Sequence, residues 1–293
     1  MTPADLQLVQ RLLIDNTGEK IGRLEACPVS GGDINRAYRL DDGQHRFFIK
    51  TNSRECLRMF EAEQYGLDEI QRSGSIRVPQ PITCGTTAQL AFIVMEYLDL
   101  SGRPGAPGLA QQVAAMHLCS QDKFGFAMDN TIGSTPQLND VSEDWVKFWQ
   151  QHRLGYQLSL AKTNGLGSEL FDAGMRLNER IGHFFSSYSP LASLLHGDLW
   201  GGNQGANSQG NPVIYDPACY YGDHEADLAM MELFSSPGKH FFDAYNEVFP
   251  TDEGYFQRRE LYNLYHILNH ANLFGGSYIS QARQMIASLL AQI

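Results

Sequence analysis

LLHGDLWGGNQGA, residues Leu194–Ala206, is the stretch that most narrows the choice of fold for this chain of 293 residues. Asp198 and Asn203 are spaced in it as D-x-x-x-x-N, which is typical of loops that catalyse phosphoryl transfer. A carboxylate in such a loop orients an acceptor hydroxyl and takes its proton as the phosphoryl group transfers. The spacing therefore predicts that Asp198 is the catalytic base and that the amide oxygen of Asn203 binds Mg²⁺.

A second carboxylate follows at the end of a predicted strand. The apolar run Val213–Tyr215 ends at Asp216 in the segment PVIYDPACYYGD. A strand that delivers a carboxylate shortly after D-x-x-x-x-N matches the metal-binding Asp of kinases. Mg²⁺ prefers oxygen ligands and usually takes one or two carboxylates together with phosphates. The sequence therefore predicts Asn203 and Asp216 as the ligands of Mg²⁺.

Upstream, Lys50 ends the predicted strand RFFIK, where its ammonium group could reach the phosphates of a nucleotide. Such a lysine needs a carboxylate partner, and the helix that follows offers Glu55, Glu61 and Glu63. Glu63 falls on the apolar stripe of that helix, whereas Glu61 shares its face with mostly polar residues. Because a lone carboxylate on a buried stripe requires a cationic partner, Glu63 is predicted to pair with Lys50.

The segment SGGDINRAY precedes these strands and contains Gly31 and Gly32. Glycines between strands allow backbone N–H groups to approach phosphates, although no G-K-[ST] follows and the segment is not a Walker A loop. Taken singly, a Gly-Gly pair is mostly a turn, Lys50 a solvated lysine and Asp198 a turn residue. The prediction of an ATP-dependent kinase rests on the order in which these parts occur along the chain.

The first third of the chain shows mainly β-type patterns. The runs RAYRL, Arg36–Leu40, and RFFIK, Arg46–Lys50, flank a turn sequence and predict a hairpin. A helix is predicted over 54–72, after which VPQPI breaks the chain. AFIVM, Ala91–Met95, then predicts a buried strand.

A linker is predicted at Asp99–Gly108, where the density of glycine and proline excludes a regular element. Beyond it, β-type signals are confined to residues 193–216. Helices are predicted over 109–119, 142–163, 168–187, 225–234, 256–273 and 277–291. The pattern predicts an α+β fold with a small nucleotide-binding lobe over 1–98 and a larger, mainly helical catalytic and substrate-binding lobe over 99–293.

Composition excludes several classes of protein. The formal net charge is −11, and an acidic surface disfavours nucleic acid as a partner. The five cysteines are widely spaced, which argues against a disulfide scaffold or a zinc site and favours reduced thiols in the cytoplasm. No secretory signal and no apolar run of membrane-spanning length is evident, so neither a membrane nor an obligate protein partner is predicted.

With these motifs in place, the chain resembles the bacterial branch of the fructosamine-3-kinases, or ketosamine kinases, from about Gly31 to Gly276. Broader relatives are the aminoglycoside and choline kinases, so the resemblance implies a protein-kinase-like, two-lobed fold. It also implies that ATP and Mg²⁺ are used to phosphorylate the 3-hydroxyl of a small or protein-bound ketosamine, which leads to deglycation. The motifs that carry it are HGDLWGGN, GGDINRAYRL, MFEAEQYGL, VMEYL, DWVKFWQQHRLGYQL, IYDPACYYGDHEADLAM and LNHANLFGG.

The resemblance also implies roles for single residues. Glu96, Tyr97 and Leu98 would form the hinge that holds adenine, while Trp200 and His270 would line the sugar site. The roles of Asp198, Asn203, Asp216, Lys50 and Glu63 would be those given above. One departure concerns the cysteine that many eukaryotic members carry in the glycine-rich loop for redox-sensitive dimerisation. Asp33 stands at that place here, so no such switch is expected.

The roles of two residues and two alternative functions stay open at this point. His117 is expected to be a satisfied core histidine, and Asp227 either a surface acid or a brace for the catalytic loop. A kinase of another small hydroxyl compound, such as an aminoglycoside or choline, would share the Asp-Asn-Asp core but is not expected to show HGDLWGGN with DPACYYG. A pseudokinase would require a missing catalytic part, and none is missing.

Overall fold

The computed structural model describes residues 1–30 and 34–293. The α-helices are α1 (Pro3–Thr17), α2 (Leu57–Ser73), α3 (Ala106–His117), α4 (Trp145–Phe148), α5 (Gly155–Thr163), α6 (Ser168–Arg180), α7 (Glu225–Phe234), α8 (Lys239–Asn246), α9 (Tyr255–Phe274) and α10 (Ser277–Leu290). The strands are β1 (Glu25–Val29), β2 (Arg36–Asp41), β3 (Arg46–Ser53), β4 (Pro81–Thr86), β5 (Leu90–Glu96), β6 (Ser120–Gln121), β7 (Asn130–Ile132), β8 (Thr135–Gln137), β9 (Ala192–Leu195), β10 (Gln204–Ala206), β11 (Pro212–Ile214) and β12 (Tyr220–Gly222).

The chain forms two compact units. The first contains Met1–Pro104 and Gly205–Asp216, and the second contains Gly105–Gln204 and Pro217–Ile293. The segment Gly205–Asp216 pairs with the rest of the first unit through backbone hydrogen bonds. The N–H of Gly102 donates to the carbonyl oxygen of Ala206, and the N–H of Ile214 donates to that of Arg77. These pairings join segments far apart in sequence, so the first unit is built from two separate ranges of the chain. The division into functional lobes at residues 98 and 99 stays a prediction.

The first unit is built on an antiparallel sheet with the strand order β1-β2-β3-β5-β4. The predicted hairpin is present as β2 and β3, and the run Ala91–Met95 lies fully buried within β5. Strand β4 begins at Pro81 on the edge of the sheet, a place where proline costs no ladder hydrogen bond. Because β3 lies at the centre of the sheet, between β2 and β5, Lys50 at the end of the run RFFIK has a paired strand on each side.

The second unit is mainly helical. The long helix α9 packs against both α7 and α10, and most of its side chains are buried. Trp145 and Trp149, which the sequence indicated as packing residues, are buried with their rings against Tyr262 of this helix. A small sheet with the order β12-β9-β6 carries the segment that leads into Asp198. The loop that contains Asp198 therefore begins from a strand whose four residues are all buried.

Several predictions about elements need correction. Four strands lie outside the range 193–216 to which the β-type signals were confined, because strands of two or three residues are too short to show a periodic pattern; they are β6, β7, β8 and β12. Helix α3 begins at Ala106, inside the segment from which a regular element was excluded. Proline is tolerated there because the N–H groups of a first helical turn have no partner within the helix. The helix predicted over 168–187 ends at Arg180 and continues as a 3₁₀ turn, and α8 was not predicted. Among the described residues, no helix combines the length and apolar character needed to cross a membrane.

Candidate active site

The first unit holds a buried lysine between two carboxylates. The Nζ of Lys50 donates to Oε1 of Glu63 at 2.6 Å and to Oδ1 of Asp216 at 2.5 Å. Lys50 and Glu63 are buried, whereas the side chain of Asp216 is 42% exposed. Glu61 lies instead 3.3 Å from the exposed Arg58. The buried face of α2 thus selects Glu63 as the partner of Lys50, as its place on the apolar stripe indicated.

The charge state of this trio follows from its burial. Burial by itself would lower the pKa of Lys50, but the carboxylates of Asp216 and Glu63 raise it above its ordinary value. Burial raises the pKa of Glu63, with Asp216 acting in the same direction and Lys50 opposing both. Lys50 is therefore held as an ammonium group, with a fixed position and a full positive charge.

Asp216 has the only positive φ angle among the non-glycine residues that the structure describes, at 60°. Asp is one of the few residues that tolerate this left-handed region, and such backbone conformations cluster at functional sites. One carboxylate oxygen accepts from Lys50, while the other has no hydrogen-bond partner within residues 1–30 and 34–293. The second oxygen is thus a candidate metal ligand.

The predicted adenine hinge lies directly after β5. The carboxylate of Glu96 is clamped by Arg77, whose Nη2 lies 2.5 Å from each oxygen. The ring of Tyr97 lies 5.6 Å from the guanidinium carbon of Arg46. In the part of the chain that is described, neither backbone polar group of Leu98 has a hydrogen-bond partner, and the role of Glu96–Leu98 as a hinge stays a prediction. Gly31 and Gly32 lie outside the described residues.

In the second unit, Asn203 is locked onto Asp198. The Nδ2 of Asn203 donates to the backbone oxygen of Asp198 at 2.8 Å and to its Oδ2 at 3.0 Å. Because both bonds use the amide nitrogen, the amide oxygen of Asn203 is left without a hydrogen-bond partner among the described residues. The D-x-x-x-x-N spacing thus produces a carboxylate whose orientation is fixed and an amide oxygen that could bind a cation.

Asp227 of α7 braces this loop through hydrogen bonds to its backbone. Its two oxygens accept from the backbone N–H of His196 at 2.7 Å and of Gly197 at 2.8 Å. His117 lies 3.1 Å from the same carboxylate through Nε2, and its Nδ1 lies 2.7 Å from the hydroxyl of Tyr245. Burial would raise the pKa of Asp227, but the hydrogen bond from His117 and the backbone of His196 hold it below its ordinary value. The bracing role is therefore confirmed, and His117 is a satisfied core histidine.

Two positions of the motif HGDLWGGN require glycine because other atoms lie close to the backbone there. Gly197 has φ of 81°, and a Cβ there would collide with the carbonyl oxygen of Ala218. A Cβ at Gly202 would collide with the indole of Trp200. The loop therefore needs glycine at these positions to turn before Asp198 and to let Trp200 fold over its own backbone.

Trp200 and His270, the predicted substrate residues, are linked by a residue that sequence reasoning missed. The ring of Phe234 lies 5.8 Å from Trp200 and 5.5 Å from His270, measured between ring centroids. Burial lowers the pKa of His270, against a smaller effect of the backbone of His266, so its imidazole is neutral at pH 7. No signal in the sequence marked Phe234, because a phenylalanine that ends an amphipathic helix usually belongs to the core.

The donor set at these residues fits Mg²⁺ better than a transition metal. Within the described ranges, no group of three or more His, Cys, Asp or Glu is arranged to hold a metal ion. Asn203 offers an amide oxygen and Asp216 offers a carboxylate oxygen, and each is a hard ligand of the kind that Mg²⁺ prefers.

Known proteins similar to this chain are kinases of sugar–amine adducts. A sequence model of the fructosamine kinase family matches residues 5–292. The chain is 42% identical over 293 residues to a probable ketoamine kinase of Synechocystis sp., across 99% of this chain and 98% of that protein. It is 41% identical over 290 residues to the chloroplastic protein-ribulosamine 3-kinase of Oryza sativa subsp. indica, across 97% and 83%.

Solved structures show the same relationship in three dimensions. A putative fructosamine-3-kinase from Haemophilus somnus 129PT superposes with a TM-score of 0.88 at 29% identity, across 96% of each chain. A choline kinase from Streptococcus pneumoniae superposes with a TM-score of 0.64 at 14% identity, across 98% of this chain and 100% of that one, which shows the fold alone. The predicted α+β, protein-kinase-like fold is confirmed.

The match to the family runs nearly from one end of the chain to the other, and it includes the segment around Asp198 in which the motif resemblance is most specific. The relatives at about 40% identity are covered over most of their own length. The resemblance inferred from the motifs is therefore confirmed, and the chain belongs to the fructosamine kinase family.

Proposed function

We propose that this chain is an ATP-dependent kinase that phosphorylates the 3-hydroxyl of ketosamines, the adducts that sugars form with amines through Amadori rearrangement. The names of its relatives, ketoamine kinase and protein-ribulosamine 3-kinase, support this substrate class. The observation that carries the proposal is the Asp198–Asn203 pair, which offers a fixed base and an unused amide oxygen on one loop.

Apart from Asn203, the residues proposed for the nucleotide and its Mg²⁺ belong to the first unit. Lys50, held by Glu63, would contact the α- and β-phosphates, and the amides around Gly31 and Gly32 would cover the phosphates. The backbone of the hinge Glu96–Leu98 would hydrogen-bond adenine. Mg²⁺, held by Asn203 and Asp216, would neutralise charge on the phosphates when bound.

The residues proposed for the acceptor belong to the second unit. Asp198 would accept the proton of the sugar 3-hydroxyl while that oxygen forms its bond to the γ-phosphorus and the bond to ADP breaks. Trp200 would pack against the apolar face of the sugar, and the neutral His270 would hydrogen-bond a hydroxyl group. The phosphorylated adduct would then fall off the amine, so the reaction removes the sugar from a small molecule or a protein.

The free state of all five cysteines agrees with a reducing compartment. We propose the cytoplasm as the site of action, with a small or protein-bound ketosamine as the partner and with no nucleic acid or membrane involved.

The test is a comparison of acceptors under the same conditions. ATP consumption is measured with ribulosyl-lysine, fructosyl-lysine and kanamycin, for the unchanged chain and for Asp198→Asn. We expect turnover with a ketosamine and little with kanamycin. Asp198→Asn should lower the rate on the order of 10² to 10⁴-fold, the usual effect of losing a positioned base, while ATP binding persists.

Asp243→Asn, at an exposed carboxylate on α8 that pairs only with Lys239, provides the matched control and should leave the rate unchanged. Turnover with kanamycin alone would reject the ketosamine and favour an aminoglycoside as the acceptor. Near-normal turnover by Asp198→Asn would remove Asp198 from the role of base.

A further inference from the structure

A short hairpin of the second unit places two amide side chains opposite each other. Strands β7 and β8 pair antiparallel, with Asn130 opposite Gln137 and Ile132 opposite Thr135. The two residues between the strands begin with Gly133, whose φ angle is 63°, and a positive φ there suits the tight turns of hairpins. The turn therefore sets the register in which the two amides meet. We call Asn130 and Gln137 the amide pair.

The amide pair holds the backbone that follows Asp216. The Nε2 of Gln137 donates to the carbonyl oxygen of Ala218 at 3.0 Å and to Oδ1 of Asn130 at 2.7 Å. The Nδ2 of Asn130 donates to the carbonyl oxygen of Cys219 at 2.7 Å. Both amide side chains are buried. One cross-strand pair thus holds two consecutive carbonyl groups in the interior of the second unit.

The orientation of each amide follows from its partners. A carbonyl oxygen only accepts, so the groups that face Ala218 and Cys219 must be the NH₂ groups, and the amide oxygens must accept. The hydroxyl of Tyr265 donates to Oε1 of Gln137 at 2.7 Å. The bonds therefore run in one direction, from Tyr265 through Gln137 and Asn130 to the backbone. An apolar side chain in place of Gln137 would leave buried acceptors without a donor, which is costly.

The hairpin is itself anchored to helix α9. The Nδ2 of Asn269 on this helix donates to the carbonyl oxygen of Ile132 at 3.2 Å. A Cβ at Gly133 would lie 3.2 Å from Cδ1 of Leu273 on the same helix, so the turn also packs closely against it. Because most side chains of α9 are buried, the amide pair is attached to the core of the second unit.

Ala218 also contacts the loop that contains Asp198. Its N–H donates to the carbonyl oxygen of His196 at 2.8 Å, and its own carbonyl oxygen occupies the space that a Cβ of Gly197 would need. That loop has a separate support, because the carboxylate of Asp227 accepts from the N–H groups of His196 and Gly197. Loss of the amide pair should therefore disturb the segment around Ala218 more than it disturbs the loop.

Asp216 lies between two held points of the backbone. Before it, the N–H of Ile214 donates to the carbonyl oxygen of Arg77 at 3.0 Å, and after it only Pro217 separates it from Ala218. A non-glycine residue with a φ angle of 60° persists only where the surrounding structure holds it. The hold on Ala218 therefore helps to keep Asp216 at this backbone angle, which sets the direction of its carboxylate.

We propose that Asn130 and Gln137 are positioning residues for Asp216, and that they set how tightly the chain binds its divalent cation. This inference rests on the proposed function, in which Asp216 is a ligand of Mg²⁺. The amide pair acts through the backbone of Ala218 and Cys219 and not by contact with the cation. Residues that orient metal ligands typically change metal affinity by about 10- to 100-fold when they are replaced.

The experiment measures binding of Mn²⁺, a paramagnetic substitute for Mg²⁺, to the full chain in the presence of a non-hydrolysable ATP analogue. Gln137→Met keeps the length of the side chain but removes both donors, and it should raise the Kd for Mn²⁺ about tenfold. Tyr265→Phe removes only the hydroxyl that orients Gln137 and should raise the Kd less. In kinetic assays, the Mg²⁺ concentration that gives half the maximal rate should rise in parallel, with the KM for the ketosamine little changed.

Gln150→Met is the matched control. Gln150 also donates to a backbone carbonyl of the second unit, that of Asn178 at 2.6 Å, but it lies outside the hairpin. Thermal midpoints are measured for every variant, and Tyr265→Phe carries the test if Gln137→Met does not fold. An equal rise of the Kd in Gln150→Met would overturn the positioning role, because any loss of stability would then have the same effect.

Amide hydrogen exchange provides a readout that needs no metal. Peptides that contain Ala218 should exchange faster in Gln137→Met than in the unchanged chain, while peptides from α7 should not change. An unaltered Kd for Mn²⁺ in folded Gln137→Met and Tyr265→Phe would overturn the positioning role. Failure of the unchanged chain to bind Mn²⁺ with the ATP analogue would instead reject the metal site of the proposed function, on which the inference rests.

Discussion

At the scale of the residue, Lys50 is a cation that contacts two carboxylates and is almost fully buried. Removal of Glu63 and removal of Lys50 have different consequences for the group that remains. Without Glu63 the ammonium group keeps Asp216 but loses the contact to α2, and without Lys50 the carboxylate of Glu63 is buried alone. A buried carboxylate without a cation is costly and protonates instead.

We therefore predict that Lys50→Ala and Glu63→Ala each raise the KM for ATP or lower kcat, and that the double variant is no worse than the worse single one. Residues that act as a unit show such non-additivity. Steady-state kinetics with varied ATP measure it. Glu61→Ala, at the neighbouring carboxylate that lies near Arg58, serves as the control and should be silent. A damaging Glu61→Ala together with a silent Glu63→Ala would contradict the assignment made from the helix face.

At the scale of the element, helix α7 supports the catalytic loop through one side chain. Asp227 lies in its first turn and accepts from two consecutive backbone N–H groups, those of His196 and Gly197. A carboxylate suits this position because both of its oxygens are acceptors. An amide of the same shape has one acceptor and one donor, so it would set an N–H group against an N–H group.

We predict that Asp227→Asn lowers kcat about 10- to 100-fold, since hydrogen bonds to a charged group contribute about 1.5–3 kcal/mol. The KM for ATP should change less than kcat, because Lys50, Glu63 and the predicted hinge belong to the first unit and Asp227 belongs to the second. The measurements are kcat and KM for ATP at a temperature well below the thermal midpoint of the variant. Unchanged kcat in a folded variant would show that the loop keeps its conformation without this brace.

At the scale of the whole molecule, buried neutral histidines link stability to pH. His224 is buried, and neither ring nitrogen has a hydrogen-bond partner among the described residues, although Asp223 lies 3.5 Å away. Burial lowers the pKa of His224 to about 3, with His117 and Arg258 acting in the same direction and Asp227 opposing them. Its ring stacks on Phe249, with the centroids 4.1 Å apart. The side chain therefore behaves as an aromatic packing residue.

The sign of the pH effect follows from the two pKa values. An unfolded histidine titrates near 6.5, so between pH 6.5 and about 3 the unfolded chain binds a proton at this position that the folded chain does not. Stability from the neutral ring is thus complete above pH 6.5 and is lost as the pH falls. His224→Phe removes this loss and keeps the stacking on Phe249.

We compare the free energy of unfolding of His224→Phe with that of the unchanged chain. We predict that this difference shifts in favour of the variant by about 2 kcal/mol as the pH falls from 8 to 5. Urea unfolding at the two pH values measures it. His240→Phe, at an exposed histidine of α8, is the control and should show no such increase. A difference for His224→Phe that does not depend on pH would mean that the ring is already charged or solvated in the folded chain.

The sequence by itself determined the parts whose signals are local. The hairpin of β2 and β3, the buried run in β5 and the helices after residue 109 other than α8 follow from side-chain periodicity, which is a local property of the sequence. The choice of Glu63 over Glu61 also came from periodicity, because the buried face of a helix is fixed by its own sequence. The D-x-x-x-x-N spacing likewise keeps Asn203 within hydrogen-bond reach of Asp198.

The tertiary structure alone decided what depends on segments far apart in the chain. Three features join residues whose sequence separation leaves no local pattern: the pairing of Gly205–Asp216 with the rest of the first unit, the contact of Lys50 with Asp216 and the bracing of His196 by Asp227. The contacts of Phe234 with Trp200 and His270 belong to the same class, since the sequence alone indicates only that Phe234 ends a helix. Burial and distance between non-local groups are properties of the packed chain, and they set the charge of Lys50, the neutrality of His270 and the surface offered to a substrate.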